Sequence, residues 1–339
     1  MKFAFSADIH LSRYSQDKVE NNLPERLNSI KTAVYGISQY CYDNDIDKFV
    51  IGGDIMHTKS VIYSIAQDIM FDLFEDFSNL QFLVIDGNHD LSGKGSDAIS
   101  SLRSLKHIPN VEWITKTPAN DSKFACIPYS YDVVKQVKSN TADILISHFG
   151  LSEGLLNSGI SIVSEIKLAD LIGRYKLVLL GHYHKPQVII RPDISLYYVG
   201  SPVQLDWGEK GDIKRFLVVD TDTLDVQSIP TTGYKKHIEL EINATNKDQI
   251  LEQAAIAKEE GNYVKLIKTE TIEIDSDFAV IDKTDKDITN RGITSSMSEE
   301  DKLKKFMQIK EIPAEKNERY LNAALDIINS AQVDVVGDE

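Results

Sequence analysis

The stretch FVIGGDIMH, residues 49–57, decides how the rest of the chain is interpreted. Three apolar residues run directly into Gly52, Gly53 and then Asp54. This pattern is typical of a buried parallel strand that ends in a tight turn. Ligands of open α/β sheets bind beyond the carboxyl ends of the strands, which is where Asp54 lies. An aspartate that only initiates a turn explains the same pattern, so the neighbouring motifs must decide between the two interpretations.

Four other predicted strands also end in polar residues. The five clusters are, in chain order, Asp8 with His10, Asp54 with His57, Asn88 with His89, His148, and His182 with His184. Six of the eight histidines fall in these clusters, which a chance distribution would not produce. Apolar residues at helical spacing over Pro24–Cys41 and Ile62–Phe77 predict helices between the first three strands, so the chain begins as a βαβαβ unit.

The clustered side chains offer carboxylate, carboxamide and imidazole groups but no thiolate, which disfavours a structural zinc site. Mixed oxygen and nitrogen ligands fit manganese, iron or catalytic zinc. Two metal ions about 3.5–4 Å apart can hold both the attacking and the leaving oxygen of a phosphate ester. Such a centre needs a carboxylate shared by both ions, and Asp54 is the natural candidate because a carboxylate has two ligand oxygens.

The motif order D-x-H, G-D-x-x-H, G-N-H-D, a lone histidine and G-H-x-H resembles the signature of the calcineurin-like metallophosphoesterases. The resemblance covers about residues 1–221 and implies an α/β fold, a metallophosphoesterase β-sandwich flanked by helices. The stretches 197–202, 205–209 and 216–219 are similar to those of SbcD-type nucleases, which process double-strand breaks with an SMC-like coiled-coil ATPase. The compact length suggests a phage version.

The same resemblance implies two divalent metal ions, with Mn²⁺ as the expected metal. One ion would be bound by Asp8, His10 and His184, the other by Asn88, His148 and His182, and Asp54 would bridge the two.

Five further residues receive interpretations. The resemblance implies that His89 is the general acid that protonates the leaving oxygen. Asp90 would orient His89, as carboxylates beside such sites do. His57 would lie on the substrate side, although a polar residue at a helix start explains it too. His107 and His237 match no motif and are interpreted as structural.

Three domains are expected: a nuclease domain over residues 1–225, a small α+β domain over 226–285, and a linker with C-terminal helices over 286–339. The resemblance implies that the second domain is a cap that contacts DNA and that the C-terminal helices bind the ATPase coiled coil. An apolar stripe supports the last helix and consists of Tyr320, Leu321, Ala324, Leu325 and Ile328. Helices that pack on their own domain would show the same stripe. The family also forms homodimers, for which Ile62–Phe77 is a candidate, although core packing explains that segment equally well.

Composition sets further limits. The net charge of −15 argues against broad attraction to nucleic acid, but bound divalent ions would reverse the field locally. No stretch of about 18 apolar residues exists to span a membrane. The two cysteines have no motif spacing, so a reduced, cytoplasmic setting is expected.

The resulting hypothesis is a Mn²⁺-dependent DNA exonuclease and endonuclease subunit that acts with an SMC-like ATPase in recombination, repair and replication. Two alternatives stay open. One is a phosphoesterase that acts on phosphoproteins or small phosphodiesters, and the Met56-His57-Thr58 sequence after the bridging aspartate disfavours the phosphoprotein type. The other is a binding scaffold on an inactive phosphoesterase fold, which the complete ligand set disfavours.

Overall fold

The computed structural model describes residues 1–20, 22–93, 95–116, 122–274, 277–283, 297–310, 312–313 and 317–325. Its largest sheet, the first sheet, has six strands, in spatial order Val226–Pro230, Arg215–Asp220, Lys2–Ser6, Lys48–Ile51, Gln81–Ile85 and Val111–Ile114. The last four run parallel to one another, and the first two are antiparallel to their neighbours. The predicted strand before Asp54 is therefore central in this sheet, and Phe49, Val50 and Ile51 are fully buried.

The second sheet has five strands, in spatial order Gln187–Arg191, Ile194–Tyr198, Leu177–Gly181, Ile144–His148 and Phe124–Ile127. All run parallel except Gln187–Arg191, which is the antiparallel edge strand. The sequence also predicts short strands near residues 187–190, 196–199 and 216–219 that together form a second sheet. The strands exist, but the prediction that they share a sheet of their own is wrong. The first two extend the second sheet, whereas the third pairs with the N-terminal strand, where Phe3 lies opposite Val219.

The alternation of side chains along the strands produces a sandwich of the two sheets. Phe3 and Phe5 point between the sheets and pack in one cluster with Ile146 and Leu179 of the second sheet. Ala4, between them, belongs to a different cluster on the outer face of the first sheet. Because successive strand side chains point to opposite faces, each central strand contributes to both layers of core.

Helices cover the outer faces. Glu25–Asp43 and Ser64–Asp76 pack on the first sheet, and Val133–Ser139 packs on the second. The two long helices confirm the predicted patterns, and the stripe from Leu27 to Cys41 is buried. The sequence also predicts a short helix over Val163–Gly173, and this prediction is wrong. Only a 3₁₀ turn, Leu168–Asp170, forms there. The Leu168 N–H donates to the Glu153 carboxylate and not to a carbonyl of a preceding helical turn.

Short elements complete this part of the chain. They are the two-stranded ribbons Val19–Glu20 with Leu23–Pro24 and Leu91–Ser92 with Ile99–Ser100, and the 3₁₀ turns Gly95–Asp97, Arg103–His107 and Trp207–Glu209.

The chain divides into two compact units, Met1–Ile238 with Ile256–Val264 and Glu239–Ala255 with Lys265–Glu339. The second unit holds most of a three-stranded sheet and three helices. These elements are the strands His237–Ile242, Tyr263–Lys268 and Ala279–Asp282, the helices Lys247–Glu259 and Glu299–Ile309, and the helical residues 317–325. Ile328 of the predicted stripe and most of the predicted linker lie outside the described residues. Across the described residues, no helix combines the length and apolar character needed to cross a membrane.

Candidate metal centre

The predicted site residues follow the carboxyl ends of five parallel strands. The first sheet supplies Asp8, His10, Asp54 and Asn88, and the second sheet supplies His148, His182 and His184. Parallel strands place their carboxyl ends at one edge of a sheet. The two packed sheets therefore bring all seven side chains together at one edge of the sandwich.

The backbone of this edge has an uncommon conformation. Asp8, His10, Asp54 and His182 all have positive φ, between 54° and 91°. Such values are uncommon for residues other than glycine and cluster at functional sites. The first two loops are also tied together, because the Asp8 N–H donates to the Gly53 carbonyl at 3.0 Å and the His10 N–H to the Asp54 carbonyl at 2.9 Å. The fold thus fixes the directions of the ligand side chains.

One group of donor atoms consists of Asp8, His10 and His184, whose ligand atoms all lie within 4.8 Å of one another. The Nε2 atoms of His10 and His184 are 3.0 Å apart, and Oδ1 of Asp8 is 4.0 Å from His184 Nε2. Asp8 is held by the His182 N–H, which donates to its carboxylate at 3.0 Å. These atoms converge on one point, as the ligands of one metal ion do.

A second group lies beside the first. Asn88 Oδ1 is 2.8 Å from His182 Nδ1 and 3.1 Å from His148 Nε2. Asp54 lies between the groups, since its Oδ2 is 3.3 Å from His148 Nε2 and 3.7 Å from His10 Nε2. The Asp54 carboxylate thus faces both groups, which is the position a bridging ligand needs, and Asp8 Oδ1 also lies 4.0 Å from His148 Nε2.

Hydrogen bonds set the orientation of two imidazoles. His148 Nδ1 lies 2.8 Å from the Gly52 carbonyl, and His184 Nδ1 lies 2.8 Å from Oε1 of Glu209. Because both partners accept hydrogen bonds, each Nδ1 carries a proton, and Nε2 is the atom of each ring that can bind a metal ion once it has lost its own proton. The donor set of imidazole, carboxylate and carboxamide with fixed lone pairs fits divalent transition metals.

Burial and charge shift the pKa values of these groups. Burial lowers the pKa of His182 to about 3, and it lowers the pKa of His10 as well, so both rings are neutral. Burial acts on His148 too, but the Asp54 carboxylate outweighs it and raises the pKa of His148 to about 9. Asp54 in turn has a pKa below its ordinary value, because His148 and His10 outweigh its burial. Metal binding at His148 would therefore release a proton.

His89 and His57 lie next to the first group. Their rings are stacked, with centroids 5.7 Å apart and planes at 16°, and both meet the His10 ring edge-on. His89 Nδ1 is bonded to the His57 carbonyl at 2.6 Å, and the His89 N–H donates to Asp54 Oδ1 at 2.7 Å. Nε2 is therefore the nitrogen of His89 that can contact a substrate. Burial and the neighbouring His89 lower the pKa of His57.

Asp90 occupies a different position from the expected one. Its fully buried carboxylate accepts hydrogen bonds from the N–H groups of Asp54, Met56 and Gly87 at 2.8–2.9 Å. The His89 ring is bonded to the His57 carbonyl instead. The expectation that Asp90 orients His89 directly therefore needs correction: Asp90 fixes the loop that carries Asp54.

Two buried residues were assigned no role from sequence. Glu209 accepts hydrogen bonds from His184, Ser201, the Leu205 N–H and Lys214, and these contacts outweigh its burial and lower its pKa to about 2. Lys214 is fully buried. Glu209 is in the stretch 205–209 that carried the SbcD resemblance, but no spacing rule connects it to His184. The two histidines outside the motifs are not in the centre: His107 is exposed, and His237 is buried and stacks on Tyr263.

The sequence profile of the calcineurin-like phosphoesterases matches residues 1–186, more than half of the chain. The chain belongs to this family. Among curated proteins, this phosphoesterase is 24% identical to exonuclease subunit 1 of Enterobacteria phage T4, over 97% of this chain and 95% of the phage protein. This match confirms the expectation that the chain resembles a phage nuclease subunit.

A phosphoesterase of Invertebrate iridescent virus 6 is 23% identical over 53% of this chain and 66% of its own length. Among solved structures, a dimetal phosphatase from Danio rerio aligns with a TM-score of 0.43 and 9% identity, over 68% of this chain and 99% of that chain.

Proposed function

We propose that this phosphoesterase is a DNA exonuclease and endonuclease subunit that hydrolyses phosphodiesters at a centre of two Mn²⁺ ions, in recombination, repair and replication. The observation that carries the proposal is the convergence of seven metal-type ligands, with His89 beside them, at one edge of the sandwich. The similarity to a phage exonuclease subunit along nearly the whole chain supports DNA as the substrate.

In this proposal, Asp8, His10 and His184 would hold one ion, Asn88, His148 and His182 would hold the other, and Asp54 would be a ligand to both. When bound, two such ions supply a hydroxide at neutral pH and neutralise charge on the phosphate. The chain's own part is to keep the ligand atoms aimed at the centre, through the Gly52 carbonyl for His148 and Glu209 for His184.

His89 serves as the proton donor to the leaving oxygen. Its Nδ1 is bonded to the His57 carbonyl, so Nε2 is the atom that delivers the proton. His57 stacks against His89 and limits the rotation of its ring on the substrate side.

The test is hydrolysis of bis-p-nitrophenyl phosphate and of end-labelled DNA by purified protein. Activity should be lost in chelator and restored by Mn²⁺, and Ca²⁺ or Mg²⁺ should restore less because imidazole ligands prefer transition metals. A matched control is His107→Ala, which removes an exposed histidine outside the centre. Full activity in chelator after exhaustive dialysis would contradict the proposal.

The proposal includes an SMC-like coiled-coil ATPase as partner and three domains with the boundaries 225/226 and 285/286, the middle one contacting DNA. The word subunit in the phage relative's name supports a complex. Phe306, Ile309 and Tyr320 are 41–48% exposed on the C-terminal helices, which leaves apolar surface for a partner's groove.

Deleting residues 299–339 should abolish co-purification with the ATPase while Mn²⁺-dependent cleavage of short substrates is retained. Unchanged affinity for the ATPase would show that these helices only pack on their own unit.

We also propose that the protein forms a homodimer and acts in the host cytoplasm. The helix Ser64–Asp76 buries Ile69, Met70, Leu73 and Phe74 in its own unit, but Val61 and Ile62 before it are 49% and 43% exposed. These two residues offer apolar surface for a second copy. Light scattering after gel filtration tests the dimer, and a Val61→Ser variant should weaken it.

A further inference from the structure

A groove of about 640 Å³ opens beside the metal centre. Its lining includes residues between 95 and 103, after the G-N-H-D motif, and residues between 128 and 136, after the strand Phe124–Ile127. The Tyr129 N–H donates to the Asp86 carbonyl at 2.9 Å, and the Tyr129 ring meets the His148 ring edge-on, with centroids 6.5 Å apart. Tyr129 therefore connects the lining of the groove to His148 of the metal centre.

Aromatic rings are the first feature of its lining. Trp113, Tyr129 and Tyr131 all contribute. Tyr131 is 70% exposed, so its ring is available to a ligand. Base stacking on such rings is the usual way in which proteins hold unpaired strands, because every base has a π-face. The bases of a duplex are already stacked on one another, so an exposed ring favours an unpaired strand.

Unpaired positive charge is the second feature. Arg103 and Lys116 line the groove, both are exposed, and neither has an ion-pair partner among the residues that the structure describes. This is notable in a chain with a net charge of −15. Two cations on one groove that have no acidic partner within the described ranges are suited to the phosphates of a nucleic-acid strand.

The acidic residues of the groove are already engaged. The Asp86 side chain is 5% exposed and accepts a hydrogen bond from Ser100 Oγ. Asp132 accepts from Gln136 Nε2 at 2.7 Å and from Ser130 Oγ at 2.9 Å. These carboxylates are committed to neighbouring side chains and leave Arg103 free to meet a phosphate.

We propose that this groove binds an unpaired DNA strand and leads it to the metal centre, with bases stacked on Tyr129 and Tyr131 and phosphates beside Arg103 and Lys116. The proposal rests on the proposed nuclease function. It adds a binding site and a preference for unpaired DNA.

The first test compares two probes by fluorescence anisotropy, with Ca²⁺ present to suppress turnover. One is an oligothymidylate of about twelve residues, and the other is an abasic strand of equal length and charge. Tyr131→Ala should weaken oligothymidylate binding roughly tenfold, as loss of one stacked base implies, and should leave abasic binding unchanged. Tyr42→Ala is the matched control, because Tyr42 is also 70% exposed but lies outside the groove. Equal effects of the two substitutions would overturn the proposal.

The second test addresses the charges. Arg103→Gln and Lys116→Gln should each weaken both probes and reduce the slope of log affinity against log salt by about 0.7, the value for one phosphate contact on a single strand. Lys106→Gln is the control, since Lys106 is exposed on the same 3₁₀ turn as Arg103 but does not line the groove. An unchanged slope in both groove variants would overturn the proposal.

Hydrolysis of bis-p-nitrophenyl phosphate separates the two proposals, because this small ester does not need the groove. The control variants Lys106→Gln and Tyr42→Ala, both outside the groove, should hydrolyse it at the wild-type rate with Mn²⁺. If the wild type hydrolyses it but binds duplex as tightly as unpaired DNA, the groove proposal fails and the proposed function stands. If the wild type does not hydrolyse it at all, the proposed function fails.

Discussion

Glu209→Gln tests whether a residue that only contacts a proposed metal ligand, His184, affects metal binding. The buried Glu209 carboxylate accepts from His184 Nδ1 at 2.8 Å, Lys214 Nζ at 2.7 Å, Ser201 Oγ at 2.9 Å and the Leu205 N–H at 3.1 Å. A glutamine has one acceptor oxygen, so its NH₂ group must face at least one of these donors. It also leaves the fully buried Lys214 without that carboxylate.

Two magnitudes follow. Removing one partner of a buried ion pair costs about 3–5 kcal/mol of stability, with Asp212 at 3.3 Å from Lys214 Nζ reducing the loss. Losing the acceptor that orients a metal-binding histidine typically weakens metal binding by about 10–100-fold. The variant should therefore unfold at lower urea concentration and bind Mn²⁺ more weakly.

The assays are urea unfolding and calorimetric titration with Mn²⁺. The double variant Glu209→Gln/Lys214→Met should recover part of the stability, because the unpaired charge is gone, but none of the metal affinity. Asp206→Asn is the control, since Asp206 caps the same 3₁₀ turn without touching His184. If Glu209→Gln bound Mn²⁺ as tightly as the wild type while losing stability, the residue would only support packing and the reasoning about His184 would be refuted.

Three further results are expected. His89→Ser should retain Mn²⁺ binding and lose about 10²–10⁴-fold in turnover, whereas Asp54→Asn should lose metal in titration; equal metal loss in both would contradict these roles. Gly87→Ala should lower the free energy of unfolding by about 1–3 kcal/mol and weaken Mn²⁺ binding, because the added Cβ would overlap Asp54. The control is Gly36→Ala, whose Cβ meets no neighbour, and it should be neutral or stabilising in urea unfolding. Burial raises the pKa of the Cys41 thiol to about 12, so thiol labelling at pH 8 should require unfolding. Just above about pH 9 only the unfolded thiol ionises, and the free energy of unfolding should therefore fall from there towards pH 12. Rapid labelling of the native protein would argue against this burial.

Local patterns in the sequence were sufficient to predict the central strands, the long helices and the group of polar residues that the fold brings together. The apolar run before Asp54 predicts a buried strand, and the stripe from Leu27 to Cys41 predicts a helix, because periodicity depends only on neighbouring residues. The polar residues at strand ends converge because parallel strands share an edge. The order of the five motifs predicted the family, and the profile match over residues 1–186 confirms it.

Contacts between distant parts of the chain were decided only by the tertiary structure. Asp90 bonds N–H groups 34–36 residues before it, at Met56 and Asp54, instead of the adjacent His89. Glu209 meets His184 across 25 residues. The strand Arg215–Asp220 pairs with the N-terminal strand more than 200 residues away. Such pairings depend on how the sheets pack and on which buried N–H groups need an acceptor. The partner of a buried carboxylate is therefore determined by proximity in three dimensions, which the local spacing of residues does not encode.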